Sequence, residues 1–304
     1  MAARIMEDAN WAFAAYEAVR ERLPTANFPK EAQPVEHLGD LVDQFDVFLL
    51  DAFGVLNIGE VAIPGAPERI AMLRATGKIV MVLSNAAGYP KRLLMDKYTG
   101  LGYLFEPSEV ITSREVLLAY LAQRPSKRRG LMASQIFGLE ELEHLNGEFL
   151  ADDPSTYDEA DEFLLIGAAE WTEERQQLLK TSLRANPRSV LVGNPDIVAP
   201  RETGLSQEPG HFAHRLADKT DVAPVFFGKP FANAFETALA GLPDSIDPSR
   251  VVMVGDTLHT DILGGAAAGV KTALITGFGS LTGIDANLAI ERSGIIPDYI
   301  MPRP

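Results

Sequence analysis

The feature that most constrains this chain is a short apolar run that ends in a single carboxylate. The run covers residues 47–50 without a polar interruption, which is typical of a buried strand in a parallel sheet. Asp51 follows it directly, and Gly54 allows a tight turn three residues later. Because ligands of open α/β sheets bind beyond the carboxyl ends of the strands, Asp51 is predicted to lie at a binding edge. Taken alone, this stretch is more typical of a strand that ends in a turn-forming Asp than of a binding site.

Apolar runs of this kind recur along the chain and alternate with helical patterns. The predicted strands that follow the first are residues 78–83, 109–111, 224–227, 251–254, 271–275 and 299–301. The predicted helices among them are residues 66–75, 91–100, 114–122 and 231–240. Strands that alternate with helices form parallel β-α-β units. The pattern therefore predicts an α/β fold with a doubly wound parallel sheet.

Changes in the residue pattern along the chain predict that it has three parts. Residues 1–45 carry an amphipathic helical pattern up to Leu23 and are predicted to form a helical extension that packs on the core. Residues 46–125 and 223–304 form the predicted core domain, and residues 126–222 an inserted α/β domain. The insert is predicted to contain strands 129–133, 162–166 and 189–192 and helices 139–145 and 172–184. The extension is predicted to contain a loop at 28–34 and a short helix at 38–44.

Composition excludes several classes of protein. The 304 residues carry a net charge of −15, which argues against a nucleic-acid partner because phosphate backbones attract Lys and Arg. The chain has no Cys, which excludes disulfides and thiolate chemistry and fits a cytoplasmic location. Glu7 and Asp8 interrupt the N-terminus, so no signal peptide is expected. Since no apolar run approaches ~20 residues, no membrane partner is expected either.

Polar side chains follow four of the predicted strands. They are Asp51, Ser84, Asn85, Lys229, Asp256 and Asp261. Asp51, Asp256 and Asp261 form a set of carboxylates suited to Mg²⁺, a hard cation that prefers oxygen ligands. Lys229 and Asn85 could bind phosphate oxygens, helped by N–H groups in the loop at Gly54. With the substrate's charge offset in this way, Asp51 would be free to act as a carboxylate nucleophile.

Four sequence motifs carry a resemblance to a known family. FLLDAFGVL, VLSN, GKP and VGDTLHTD occur in this order, and NPD lies within the insert. In these motifs the chain resembles the haloacid dehalogenase-like (HAD) hydrolases over roughly residues 45–290. The GKP and G-D-x-x-x-x-D forms resemble subfamily IIA most. This subfamily contains enzymes similar to N-acetylglucosamine-phosphate, phosphoglycolate and pyridoxal phosphatases, with a C2-type cap inserted in a Rossmann-like core.

The resemblance implies a role for each matching residue. Asp51 would be the nucleophile and a Mg²⁺ ligand, and Phe53 would offer its backbone carbonyl to the metal. Asp256 would bind Mg²⁺ directly, and Asp261 would act from the outer shell or through a water molecule. Lys229 would pair with Asp51 and the phosphate.

Other positions in the matching motifs would bind the substrate. Ser84 and Asn85 would hold the transferring group, with Gly54 in the adjoining loop. Asn194 and Asp196 would reach the substrate from the cap, although an Asn-Pro-Asp sequence is equally typical of an ordinary turn. The resemblance also implies a small phosphorylated substrate and a homodimer.

One residue departs from the family pattern. Phosphatases of this superfamily carry D-x-D, and the second Asp protonates the leaving alcohol, whereas the chain has Phe53 there. Losing a general acid costs about 10²–10⁴-fold in rate. Haloacid dehalogenases also have an aromatic residue at this position, but they need no metal and lack the acid pair that is Asp256 and Asp261 here.

Three hypotheses follow from this departure. The first is a Mg²⁺-dependent phosphatase whose proton comes from elsewhere, with His259 as a candidate by sequence proximity, or whose leaving group needs none. The second is a dehalogenase or other non-phosphate hydrolase. The third is a weakly active or inactive homologue that binds a phosphorylated ligand.

Overall fold

The computed structural model describes residues 6–304, so the first five residues of the predicted N-terminal extension lie outside the described part. The strands are β1 (Met6–Glu7), β2 (Gln33–Pro34), β3 (Val47–Leu50), β4 (Asn57–Ile58), β5 (Val61–Ala62), β6 (Ile79–Ser84), β7 (Val110–Thr112), β8 (Arg129–Met132), β9 (Gly147–Phe149), β10 (Glu162–Leu165), β11 (Ser189–Val192), β12 (Val198–Arg201), β13 (Gly204–Gln207), β14 (Val225–Phe226), β15 (Val251–Gly255), β16 (Lys271–Ile275) and β17 (Tyr299–Met301). The helices are α1 (Ala9–Ala18), α2 (Ala66–Ala75), α3 (Lys91–Gly100), α4 (Ser113–Ala122), α5 (Pro154–Glu159), α6 (Glu173–Ala185), α7 (Pro209–Lys219), α8 (Ala232–Ala240), α9 (Leu263–Ala267) and α10 (Ala286–Ser293).

The largest sheet is parallel and has β3 near its centre. Its strand order is β2-β17-β16-β15-β3-β6-β7, and β3 pairs with both β15 and β6. Successive side chains of β3 point to opposite faces of the sheet. Phe48 and Leu50 pack in one apolar cluster, whereas Val47 and Leu49 pack in another. The prediction of a doubly wound parallel sheet is confirmed.

A second parallel sheet has the order β14-β11-β10-β8-β9. Four of its strands fall within the predicted insert, residues 126–222. The fifth, β14, pairs with Leu191 and Val192 of β11, so the prediction that the strand before Lys229 belongs to the large sheet is wrong. A two-residue apolar strand such as β14 could pair with either parallel sheet, so its sequence alone does not indicate which sheet it joins. The division into a core and an insert stays a proposal.

The N-terminal part of the chain contributes to two sheets. Gln33 and Pro34, predicted to lie in a loop, extend the large sheet beside β17. β1 adds an edge to an antiparallel hairpin formed by β12 and β13, which the sequence pattern did not predict. The predicted helix up to Leu23 ends earlier: α1 stops at Ala18, and a 3-10 turn covers Arg20–Arg22.

Two predicted helices are reduced to 3-10 turns. The segment predicted as a helix at 139–145 contains only the turn Glu143–Leu145. Glu141 has a φ of 68°, which no right-handed helix allows, and its carboxylate accepts hydrogen bonds from Lys91 N and Arg114 Nε. The predicted helix at 38–44 is the turn Leu38–Leu41. Among residues 6–304, no helix is long and apolar enough to cross a membrane.

Candidate active site

Three aspartates and one lysine meet at the carboxyl ends of the central strands. Asp51 follows β3, and Asp256 and Asp261 follow β15. Oxygen atoms of the three carboxylates all lie within 4.8 Å of one another. Lys229 Nζ lies 2.7 Å from Asp51 Oδ1 and 2.7 Å from Asp261 Oδ1, and its side chain is only 1% exposed. The structure therefore brings together residues separated by more than 170 positions in the sequence. The strand pattern predicted this meeting for the three aspartates, which all follow strands of the large sheet.

Local backbone geometry holds the two later aspartates. Asp256 Oδ2 accepts the Ser280 N–H at 2.5 Å, and its Oδ1 accepts the Thr257 hydroxyl at 3.2 Å. Both oxygens of Asp261 are also engaged, because Oδ1 accepts from Lys229 and Oδ2 from Thr257 N–H at 3.1 Å. Asp261 lies in a π-helical turn, Leu258–Ile262, a feature often found at functional sites.

Gly54 makes this arrangement sterically possible. Its φ is +81°, and a Cβ added there would lie 2.5 Å from Asp256 Cγ. Only glycine combines this backbone conformation with so close an approach. The turn after Asp51 therefore brings its backbone directly against the Asp256 carboxylate.

Burial shapes the electrostatics of the cluster. Burial, opposed by Lys229, raises the pKa of Asp51 to about 6. Burial and the neighbouring Asp261 raise the pKa of Asp256 well above its usual range. Burial alone would lower the pKa of Lys229, but Asp261 and Asp51 more than offset it and raise that pKa. The site thus concentrates negative charge around one buried cation, and a second cation would be stabilised there.

The loop after β6 is tied to the loop that carries Lys229. Asn85 Oδ1 accepts the Lys229 N–H, and Asn85 Nδ2 donates to the Lys229 carbonyl, both at 2.8 Å. This pair of bonds explains how Lys229 reaches the large sheet although the strand before it lies in the other one. Ser84 Oγ accepts the Ala86 N–H at 3.2 Å.

Asp196 of the predicted insert also reaches this loop. Asn85 Nδ2 donates to Asp196 Oδ1 at 2.8 Å, and the Asp196 N–H donates to Asn194 Oδ1 at 3.0 Å. Burial and the charge of Asp51 raise the pKa of Asp196 well above its usual range. The structure therefore brings the Asn-Pro-Asp turn to the same edge as Asp51.

A cavity lies above these groups, and both sheets contribute to its walls. The predicted site residues that line it are Asp51, Phe53, Ser84, Asn85, Asn194, Asp196 and Asp256. Lys229, Gly54 and Asp261 lie behind this surface. Residues that sequence reasoning missed also line it: Tyr89, Phe137, Arg201 and Glu208. Arg201 and Glu208 belong to the β12–β13 region, where no motif marks them.

Comparison with known proteins decides the family. A family model described as haloacid dehalogenase-like hydrolase matches residues 48–146, and one described as HAD-hydrolase-like matches residues 226–303. Chronophin of Homo sapiens is 31% identical over 274 residues, covering 86% of this chain and 92% of that protein. The chain belongs to the HAD-like hydrolases. The resemblance to subfamily IIA and the prediction of a hydrolase are both confirmed.

Solved structures of other HAD-like proteins share the fold. A possible sugar phosphatase from Cytophaga hutchinsonii is 25% identical with a TM-score of 0.77, covering 90% of this chain and 98% of that one. A p-nitrophenyl phosphatase from Archaeoglobus fulgidus is 25% identical with a TM-score of 0.69, covering 86% of this chain and 97% of that one. Both comparisons extend over the large sheet and the second sheet together.

His259 is not placed to serve this HAD-like site as a proton source. Its Nε2 lies 2.5 Å from Glu17 Oε1, and its ring stacks on Tyr16 with 5.1 Å between the ring centres. Burial lowers the pKa of His259, although Glu17 opposes the shift. It is not among the residues that line the cavity. Its proximity in sequence to Asp256 therefore does not place it in contact with a substrate there.

Proposed function

We propose that this HAD-like hydrolase is a Mg²⁺-dependent phosphatase that acts on a small phosphorylated metabolite through an aspartyl phosphate on Asp51. The observation that carries the proposal is the position of Lys229 Nζ, 2.7 Å from both Asp51 and Asp261 and buried behind the wall of the cavity that Asp51 lines. This cation keeps Asp51 ionised and offsets repulsion between a carboxylate nucleophile and a phosphate dianion. The names of the relatives, which include phosphatases, support the same reaction class.

In the proposed first step, one carboxylate oxygen of Asp51 attacks phosphorus. A P–O bond to Asp51 forms while the P–O bond to the leaving group breaks. Water then attacks the phosphorus of the aspartyl phosphate, and the departing carboxylate regenerates Asp51. Lys229 pairs with the Asp51 carboxylate while Asp51 is unmodified. It pairs with the phosphoryl oxygens once Asp51 carries the phosphate. Its burial strengthens both interactions, since charges interact more strongly away from water.

The three clustered carboxylates fit Mg²⁺, because this hard cation prefers oxygen ligands. We assign Asp51, Asp256 and the carbonyl of Phe53 as the ligands of the ion, which would neutralise charge on the transferring phosphate when bound. Asp261 is assigned to the outer sphere, because it is fully buried and does not line the cavity, whereas Asp51 and Asp256 do. Gly54 provides the turn that lets Phe53 and Asp51 face Asp256.

The phosphate itself would be held from both sheets. Ser84, Asn85 and the N–H groups of the loop at Gly54 lie on the core side, and Asn194 and Asp196 lie on the insert side. We propose that the insert acts as a cap that excludes water from the cavity during phosphoryl transfer. A homodimer and a cytoplasmic location stay predictions.

Phe53 restricts the substrates of such an enzyme. A phenyl ring cannot give a proton to a departing alkoxide, and His259 is directed to Glu17 instead of the cavity. We therefore infer a preference for substrates whose leaving group is acidic, such as an aryl or acyl phosphate. The dehalogenase alternative explains Phe53 but leaves the Asp256–Asp261 pair without a role, so we place it second.

The test is hydrolysis of p-nitrophenyl phosphate and acetyl phosphate with Mg²⁺ and with EDTA. Both have good leaving groups, so Phe53 should not limit the first step. We expect turnover that needs Mg²⁺ and disappears in Asp51→Asn. Asp96→Asn is the matched control, because Asp96 is exposed on α3 and pairs only with Arg92 among the described residues.

Three other outcomes would contradict the proposal. Turnover that persists in Asp51→Asn would exclude the aspartyl phosphate. Halide release from a 2-haloacid in EDTA, without phosphatase activity, would favour a dehalogenase. Tight binding of phosphate by a folded protein without turnover would favour the ligand-binding homologue.

A further inference from the structure

The N-terminal segment outside the family match contacts both the predicted insert and the predicted core. On the insert side, β1 pairs antiparallel with β13, in the register Glu7 to Leu205. Gln207 Nε2 donates to Glu7 Oε1 at 2.8 Å, and the ring of Trp11 lies 5.4 Å from that of His211. The segment therefore forms part of the insert's surface although more than 190 residues separate the two in sequence.

On the core side, the same segment packs on the turn that carries Asp261. The rings of Phe13 and Tyr16 lie 5.6 Å and 5.1 Å from the ring of His259, and the Glu17 carboxylate is hydrogen-bonded to its Nε2. One apolar cluster joins Phe13 and Tyr16 to Leu205 of the insert hairpin and to core residues. Helix α1 is thus fixed to both parts at once.

The hydroxyl of Tyr16 contacts the loop that carries Asp196. It accepts the backbone N–H of Ile197 at 3.1 Å, and both residues are buried. Ile197 directly follows Asp196, whose carboxylate accepts from Asn85 Nδ2 at 2.8 Å. A buried N–H that loses its acceptor is destabilising, so this hydroxyl influences where the loop lies.

We propose that Tyr16 is a positioning residue of the active site: its hydroxyl fixes the Asn194–Ile197 loop so that Asn194 and Asp196 face the Asp51 cavity. Tyr16 itself does not line that cavity, so it acts through the loop and makes no contact with substrate. Burial and the nearby charge of Asp196 raise the pKa of Tyr16 well above its usual range, which keeps the hydroxyl neutral. The kinetic part of this inference rests on the proposed phosphatase function.

The decisive variant is Tyr16→Phe, which removes one oxygen and keeps the ring on His259. Tyr157→Phe is the matched control, because Tyr157 is also buried and its hydroxyl makes one backbone hydrogen bond, to Ala151 O at 2.7 Å. The measurement is hydrogen exchange of individual backbone amides by NMR in both variants and the wild type. Thermal unfolding of each protein shows whether the folds are equally stable.

We expect the amides of both Ile197 and Asp196 to exchange at least about tenfold faster in Tyr16→Phe, since about 1.4 kcal/mol corresponds to tenfold. The Asp196 amide is bonded to Asn194 and not to Tyr16, so its exchange reports the position of the loop. Faster exchange at Ile197 alone, or at neither residue, would overturn the proposal. Tyr157→Phe should leave both amides unchanged, and an equal effect there would also overturn it.

Kinetics supply an independent readout. In Tyr16→Phe, we expect the KM for p-nitrophenyl phosphate to rise several-fold while kcat changes less than twofold, because the loop contributes to substrate binding. Unchanged constants, or parallel losses in Tyr16→Phe and Tyr157→Phe, would contradict a positioning role. If the wild type does not hydrolyse the substrate, the phosphatase proposal fails, and the exchange of the Asp196 amide still decides the role of Tyr16.

Discussion

The guanidinium carbon of Arg201 lies 5.1 Å from the centre of the Phe53 ring. A second cation, Lys97 Nζ, lies 5.0 Å from the same ring, and such contacts are favourable cation–π interactions. Arg201 is held in place by Glu208 at 2.8 Å and by Ser206 at 2.8 Å. The position of the missing general acid is therefore occupied by an aromatic ring that is packed against two positive charges.

These charges predict the outcome of restoring the acid. In Phe53→Asp, the cations of Lys97 and Arg201 would hold the pKa of the new carboxyl low, because nearby opposite charges favour the ionised form. The side chain would be ionised at neutral pH and unable to donate a proton. We therefore expect the ratio of kcat for an alkyl phosphate to kcat for p-nitrophenyl phosphate to be no higher in Phe53→Asp than in the wild type.

Phe53→Leu is the control for loss of the ring alone. A rise in alkyl-phosphate turnover of tenfold or more in Phe53→Asp, absent from Phe53→Leu, would show that the two cations do not prevent proton transfer. The rates for both substrates should be measured at saturating Mg²⁺.

Gly54→Ala tests the steric basis of the carboxylate cluster. An added Cβ would lie 2.5 Å from Asp256 Cγ and force Asp256 away from Asp51. Gly65→Ala is the matched control, because Gly65 has the same φ of +81° and nothing lies within 4 Å of an added Cβ. Both variants should lose about 1–2 kcal/mol from left-handed backbone strain, and Gly54→Ala should lose more.

The ion itself provides the second readout of this pair. A ligand that binds only the folded state stabilises it by about 2.7 kcal/mol at one hundred times its Kd. We expect Mg²⁺ to raise the Tm of the wild type and of Gly65→Ala but not that of Gly54→Ala. An equal Mg²⁺-dependent rise in both variants would contradict the assignment of Asp51 and Asp256 to one ion.

His214 predicts how stability depends on pH. Burial, reinforced by the charge of Arg22, lowers the pKa of His214 to about 4 from 6.5. Below pH 6.5 the unfolded chain therefore binds a proton that the folded chain does not, and the free energy of unfolding falls as pH falls toward about 4. Because 1.36 kcal/mol corresponds to one pKa unit, this residue should account for about 2 kcal/mol between pH 7 and pH 5.

His214→Phe removes that titration and keeps an aromatic ring against Phe226, whose centre lies 4.8 Å away. Urea unfolding at the two pH values should show a loss about 2 kcal/mol smaller in His214→Phe than in the wild type. His144→Phe, at an exposed position, is the control. The same pH dependence in wild type and His214→Phe would refute the prediction.

The amino-acid sequence by itself determined the family, the parallel sheet and the identity of the clustered residues. Asp51, Asn85 and Asp256 each follow an apolar strand, and parallel strands necessarily bring their carboxyl ends to one edge. This arrangement follows from local sequence patterns, each an apolar strand followed by a polar side chain. Their roles in binding and catalysis stay proposals that the experiments above address.

Only the tertiary structure decided what surrounds that cluster. The hairpin that carries Arg201, the pairing of β14 with the second sheet and the contact of Tyr16 with Ile197 have no sequence motif. Each depends on contacts between segments far apart in the chain, and short apolar or polar stretches suit several partners equally well. Packing of the whole molecule selects among them, because only one arrangement buries these segments and satisfies their hydrogen bonds together.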